Sequence, residues 1–194
     1  MTGPGFIHLH AHSAYSLLEG ALPLAKLLEL ALADKQPAIG IADTGNLFGA
    51  LEFSEKAAGK GIQPLIGCEM AIGFDSSDEV GSGNGRSFGK DAVVLMAIDE
   101  TGFRNLSHLV SRAYLDESGP RGVLDFSWFD ADNVSGVICL SGGPEGAIDP
   151  LFANGLEGHA MERLARLSAL FGDRFYIELQ RHGRQREALV EPQL

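Results

Sequence analysis

Residues 38–70 read AIGIADTGNLFGALEFSEKAAGKGIQPLIGCEM, and this stretch decides the fold. Ala38 to Ala42 is a short apolar run of the kind a buried strand shows. Leu47 to Lys60 reads as a helix, and Pro64 to Met70 is a second apolar run entered through the turn residues Gly59 and Gly61. Strand, helix and strand at this spacing make a crossover unit, which brings its two strands side by side in parallel.

The alternation extends in both directions. Upstream, Phe6 to His12 reads as a strand, followed by a helix with Leu24, Leu27, Leu28, Ala31 and Leu32 along one face. Downstream, strands are predicted at Ala92 to Ile98, Val134 to Leu140 and Phe175 to Leu179, with helices at Gly102 to Asp116 and Glu157 to Phe171. The chain is α/β, with six strand-helix units, no internal repeats and strands expected to pair in parallel. An open doubly wound sheet and a closed barrel fit this pattern equally. Residues 75–90, DSSDEVGSGNGRSFGK, are too rich in glycine, serine and charge to bury a core face, and are expected to form a flexible insertion. Its GSGNG resembles a phosphate loop only superficially, because no strand leads into it and no GK[ST] follows.

The length of 194 residues suits one domain. Acidic residues outnumber basic ones 26 to 15, a net charge of −11, which argues against a direct grip on nucleic acid through phosphate neutralisation. Cys68 and Cys139 each lie in an apolar run and read as small core thiols of a reducing compartment. No apolar run approaches the roughly 20 residues of a membrane span, and Met1 to Phe6 lacks signal-peptide character, so no membrane association and a cytoplasmic location are expected.

His10 and His12 lie two apart on a predicted strand, where a period of two points both imidazoles to one face, as two ligands of one metal must be. His8 continues the alternation and is read as a structural histidine. Asp43 closes AIGIAD, Glu69 closes PLIGCE, and His182 follows YIELQ by two residues, so these candidates fall at C-terminal strand ends. In parallel α/β folds those ends share one rim, where separated ligands meet. Mixed imidazole and carboxylate donors suit zinc or manganese polarising a phosphoryl oxygen and activating water, the chemistry of phosphoester hydrolysis. Asp43 before Thr44 and Gly45 also fits a helix cap or a loop anchor. His108, His159 and Trp128 read as structural or surface residues.

The blocks FIHLHAHSAYSLLEGA (6–21), GIADTGNLFGALEFSEKAAGKGIQPLIGCEM (40–70), RNLSHLVSRAY (104–114) and FYIELQRHGR (175–184) resemble the polymerase-and-histidinol-phosphatase (PHP) domain that opens the alpha subunits of bacterial DNA polymerase III. The resemblance implies a distorted seven-stranded (β/α) TIM-like barrel. Residues 1–194 would form one PHP domain at the start of a longer polymerase chain, truncated before the barrel's last strand. It implies metal ligands at His10, His12, Asp43, Glu69 and His182, and a further position at Glu19, where relatives carry Asp. Thr44 stands where they have His, and Gly143 where several have Cys. The site for a divalent metal (zinc, manganese or magnesium) is therefore expected to be incomplete. The implied role is a structural platform that docks the proofreading exonuclease (epsilon) subunit within the polymerase III holoenzyme, while the parent chain polymerises DNA on template-primer DNA. An active metal-dependent phosphoesterase, either a 3′–5′ exonuclease or a pyrophosphatase, is the alternative.

Overall fold

In the computed structural model, which describes residues 5–74 and 91–194, the helix expected first is α1 (Leu24–Ala33). Pro23 precedes it with φ −62°, the value its ring fixes and a helix start accepts. Leu24, Leu27, Leu28 and Ala31 are buried, whereas Leu32 faces outward. The crossover unit follows as β1 (Ala38–Thr44), α2 (Ala50–Ala58) and β2 (Gln63–Gly73), and β1 and β2 pair in parallel from Ala38↔Gln63 to Thr44↔Glu69. The remaining main elements are β3 (Ala92–Ala97), α3 (Glu100–Leu115), β4 (Val123–Asp125), β5 (Val137–Leu140), α4 (Asp149–Ala153), α5 (Glu157–Phe171), β6 (Phe175–Tyr176) and α6 (Gln185–Val190). The expected insertion at 75–90 lies outside the described residues.

These strands form one six-stranded sheet in the order β1-β2-β3-β5-β6, with β4 pairing the end of β2. The sheet is mixed, which corrects the all-parallel expectation: β3 runs antiparallel to both β2 and β5. A parallel β2–β3 pair would need a helical crossover, and residues 75–90 carry no apolar stripe from which to build one. Because β3 alone reverses, β1, β2, β5 and β6 still point the same way and end on a common rim. β2 is longer than read from sequence and overhangs β1, with Ala71 to Gly73 held by β4.

Period-two alternation divides the core. Ile39 and Ile41 pack with α1 and α2, while Met70, Ile72, Val93, Leu95, Val137 and Cys139 pack with α3 and α5. On the opposite face, Ala42, Val94, Met96 and Leu140 form a smaller apolar cluster with Leu65 and Ile138 against it. Glu69 shares that face by alternation, four residues beyond Leu65. Arg163 fixes α5 to the sheet: it is buried, pairs with Asp91 at 2.8 Å, donates to the Ala147 carbonyl at 3.0 Å and lies over the Phe74 ring at 4.5 Å.

The segment read as a first strand, Phe6 to His12, is instead an irregular extended strip along the outer edge of β1. Gly40 N donates to His8 O at 2.7 Å, and Ala42 N to Ala11 O at 2.9 Å. Three steps on the strip thus face two on β1, a bulge that interrupts regular pairing. Gly40 makes the approach possible, since a Cβ there would lie 2.4 Å from the Leu9 carbonyl oxygen. β6 is also shorter than the expected Phe175 to Leu179, because its partner β5 ends at Leu140.

Candidate metal centre

The shared rim of the parallel strands delivers Asp43 and Thr44 from β1, Glu69 from β2, Ser141 just past β5 and Glu178 just past β6. The strip passes over this rim and contributes His10 and His12. His10 Nε2, His12 Nε2 and Glu69 Oε2 form a triangle with edges of 3.0, 2.9 and 3.0 Å. Among the described residues, this is the one group of three or more such side chains that could hold an ion.

Each imidazole is backed by a carboxylate on its other nitrogen. His10 Nδ1 lies 2.8 Å from Glu178 Oε1, and His12 Nδ1 lies 3.4 Å from Glu19 Oε2. With an ion at the centre, this arrangement would keep the proton on Nδ1 and turn the Nε2 lone pair toward the ion. The Thr44 hydroxyl donates to the Glu19 carboxylate.

Burial disfavours a charged His10, but hydrogen bonds to Glu178 and Glu69 and their negative charge outweigh it and push the imidazole up to about 9. For Glu69 burial acts to raise the pKa. The hydrogen bonds and charge of His10 and His12 overcome this and hold the carboxyl down at about 2. The cluster thus attracts positive charge strongly. Its donors fit a divalent cation: two imidazole nitrogens and one carboxylate oxygen.

Other residues read from the sequence as ligands sit differently. Asp43 is buried, and its carboxylate is occupied within the protein: Oδ1 accepts from Ser13 N at 2.7 Å and Ser16 Oγ at 2.6 Å, and Oδ2 from Ser13 Oγ at 2.7 Å. It is an anchor for the loop that follows His12. Glu19 stands behind His12 instead of beside Glu69. His182 is exposed and turned away, its ring 3.3 Å from Glu187 at the start of α6. His8, the deepest residue of the strip by sequence, is exposed and meets Phe6 edge-on. Glu178 was missed by the reading from sequence. It lies two residues past β6, inside the strand expected from Phe175 to Leu179, so a rule that looks for acids at strand ends passes over it.

Neither cysteine contributes. Cys68 is fully buried and its thiol is pushed up to about 12, chiefly by burial; burial raises Cys139 as well. His108 lines an open groove of about 540 Å³ along α3 with Asn105, Arg112 and Asn133, far in kind from a ligand cluster. Trp128 lies under the Arg112 guanidinium at 4.3 Å.

The family model described as PHP domain matches residues 8–182. The DNA polymerase III subunit alpha of Caulobacter vibrioides (strain NA1000 / CB15N) is 46% identical over 99% of this chain, and that of Treponema pallidum (strain Nichols) is 37% identical over 100% of it. The chain spans 16% of the length of each of these two relatives. A solved structure of an amidohydrolase from Chromobacterium violaceum overlaps 56% of the chain and 33% of its own, at 25% identity and a TM-score of 0.41.

Proposed function

The chain belongs to the PHP domain family, and we propose that it is the PHP domain of a bacterial DNA polymerase III alpha subunit, holding one divalent ion on His10, His12 and Glu69. The observation that carries the single-ion reading is how the neighbouring donors are used. Asp43 has both oxygens taken by Ser13 and Ser16, and Thr44 gives its hydroxyl to Glu19. Two imidazoles and one carboxylate favour zinc or manganese over magnesium. When bound, the ion supplies a positive charge that ties the strip to β2. The barrel expected for the family is supported by the covered outer face, the apolar inner face and the approach of Glu178, beyond β6, to His10 on the strip beside β1.

On this reading the domain is a structural platform in the cytoplasm. It serves a chain whose further regions polymerise DNA on a template-primer within the polymerase III holoenzyme, and it docks the proofreading exonuclease (epsilon) subunit. The reduced donor set supports a platform over a multi-metal hydrolase. Elemental mass spectrometry of the full-length protein, dialysed against zinc and manganese, tests the metal reading. One tightly held ion per chain is expected; none would remove the metal, and two or three would overturn the single-ion assignment. Titration with purified exonuclease subunit tests docking, where no heat at tens of micromolar would sink it.

A second reading, metal-dependent phosphoester hydrolysis, is favoured by the partial exposure of His12 and Glu69, at 22% and 17% of their side chains, which leaves the ion approachable from solvent. Nuclease or pyrophosphatase turnover that vanishes in His12→Ala would establish it.

A further inference from the structure

We infer that Glu178 is a positioning residue that holds His10 in the tautomer and ring plane needed to ligate an ion, an inference that rests on the metal reading above. Its Oε1 accepts from His10 Nδ1 at 2.8 Å, leaving Nε2 as the atom that faces His12 and Glu69. Glu178 is itself held from two sides. Gln180 Nε2 donates to the same oxygen at 2.6 Å, and the Glu178 backbone N–H donates to Ser141 Oγ at 3.0 Å. Ser141 is fully buried, and its own N–H donates to the Tyr176 carbonyl at 3.0 Å, so the anchor belongs to the ends of β5 and β6.

Gly143 completes the arrangement. Its φ of +61° disfavours any side chain, and a Cβ would come within 3.0 Å of the Gln180 amide. The open space at position 143 is what allows Gln180 to lie against Glu178. Position 143 thus acts on the centre at third hand: glycine seats the amide, the amide orients the carboxylate, and the carboxylate orients the imidazole. Carboxylates behind ligating histidines typically carry a 10 to 100-fold effect on metal affinity.

The test uses Co²⁺ as probe in the full-length protein, reading affinity and the visible d–d absorption together with the thermal midpoint. Glu178→Ala should weaken Co²⁺ binding about 10 to 100-fold and alter the d–d spectrum. Glu178→Gln keeps a carbonyl acceptor for Nδ1–H and should keep the spectrum and most of the affinity. A merely structural role would lower the midpoint in both variants while leaving Co²⁺ affinity and spectrum unchanged, and that result overturns the inference. If Glu178→Ala fails to fold, Glu178→Gln decides alone, since a loss as deep as that of His10→Ala would also overturn it. Failure of the unaltered protein to bind Co²⁺, zinc or manganese would instead remove the metal reading, and this inference with it.

Discussion

The two histidines of the centre are backed by the same chemistry set in opposite surroundings. Behind His10, Glu178 has 12% of its side chain exposed and is fixed by Gln180 and by Ser141 at the strand ends. Behind His12, Glu19 has 52% exposed and lies on a loop where Leu18 shows its whole side chain to solvent at φ +71°. A charged hydrogen bond in a low-dielectric surrounding is strong and rigidifying, whereas an exposed one competes with water and salt. The inner flank therefore sets the geometry of the centre, and the outer flank can change in sequence at little cost. Glu19 and Thr44, which touch each other, both lie on the outer flank.

The substitution that most directly tests this division is Asp43→Ala, which removes the anchor of the loop on which the outer flank rests. It leaves buried donors of Ser13 and Ser16 unpaired and should lower the unfolding free energy by roughly 3 kcal/mol in urea titrations. A loss under about 1 kcal/mol would show that the loop is held by other contacts. Glu69→Gln comes next. It neutralises the one carboxylate shared by both histidines and should cost at least about 100-fold in zinc affinity by competition titration, with little change in fold.

A pH series on metal-free protein sharpens the contrast further. His10 is raised from 6.5 to about 9, so its contribution is complete below 6.5 and disappears as pH climbs through 9. Glu69 is lowered from 4.5 to about 2, so its contribution is complete above 4.5 and disappears as pH falls through 2. Stability from the cluster should be greatest between those ordinary values, and the alkaline slope should vanish in His10→Ala yet persist in Glu19→Gln. The smallest effect is expected for Thr44→Val, roughly 0–0.5 kcal/mol for an exposed pair. A loss above about 1 kcal/mol would mean that the outer flank is as stiff as the inner one, and the division would fail.

Much of this was legible in the sequence because burial leaves a periodic mark. The runs Ala38 to Ala42, Pro64 to Met70 and Ala92 to Ile98 all became strands, and the stripe from Leu24 to Ala31 became the buried face of α1. Strand direction left no such mark: β3 has the composition of a parallel strand and runs the other way because of how the chain reaches it. The strip kept the two-residue spacing of His10 and His12 but not regular pairing, since a bulge depends on a close backbone approach at Gly40 that no side-chain pattern records. Asp43 was visible as a strand-end acid. Whether such an acid binds an ion or a loop depends on what else reaches it, and here two serines thirty residues upstream or nearer arrive first. Glu178 was overlooked because His182, a more conspicuous metal donor, stood four residues away.

The strip has a consequence for how the protein behaves in a crowded solution. β1 is the last strand of the sheet, and its open side is covered by a segment that, among the described residues, shares two backbone hydrogen bonds with it and is otherwise held by side chains such as Gln36 and Asp43. If that segment lifts, an apolar strand with unpaired amides and carbonyls becomes a template for another molecule's strand. An ion shared by His10, His12 and Glu69 would pin the cover to β2. Chelation would then be felt first as a tendency to clump on storage, well before any loss of helix or sheet.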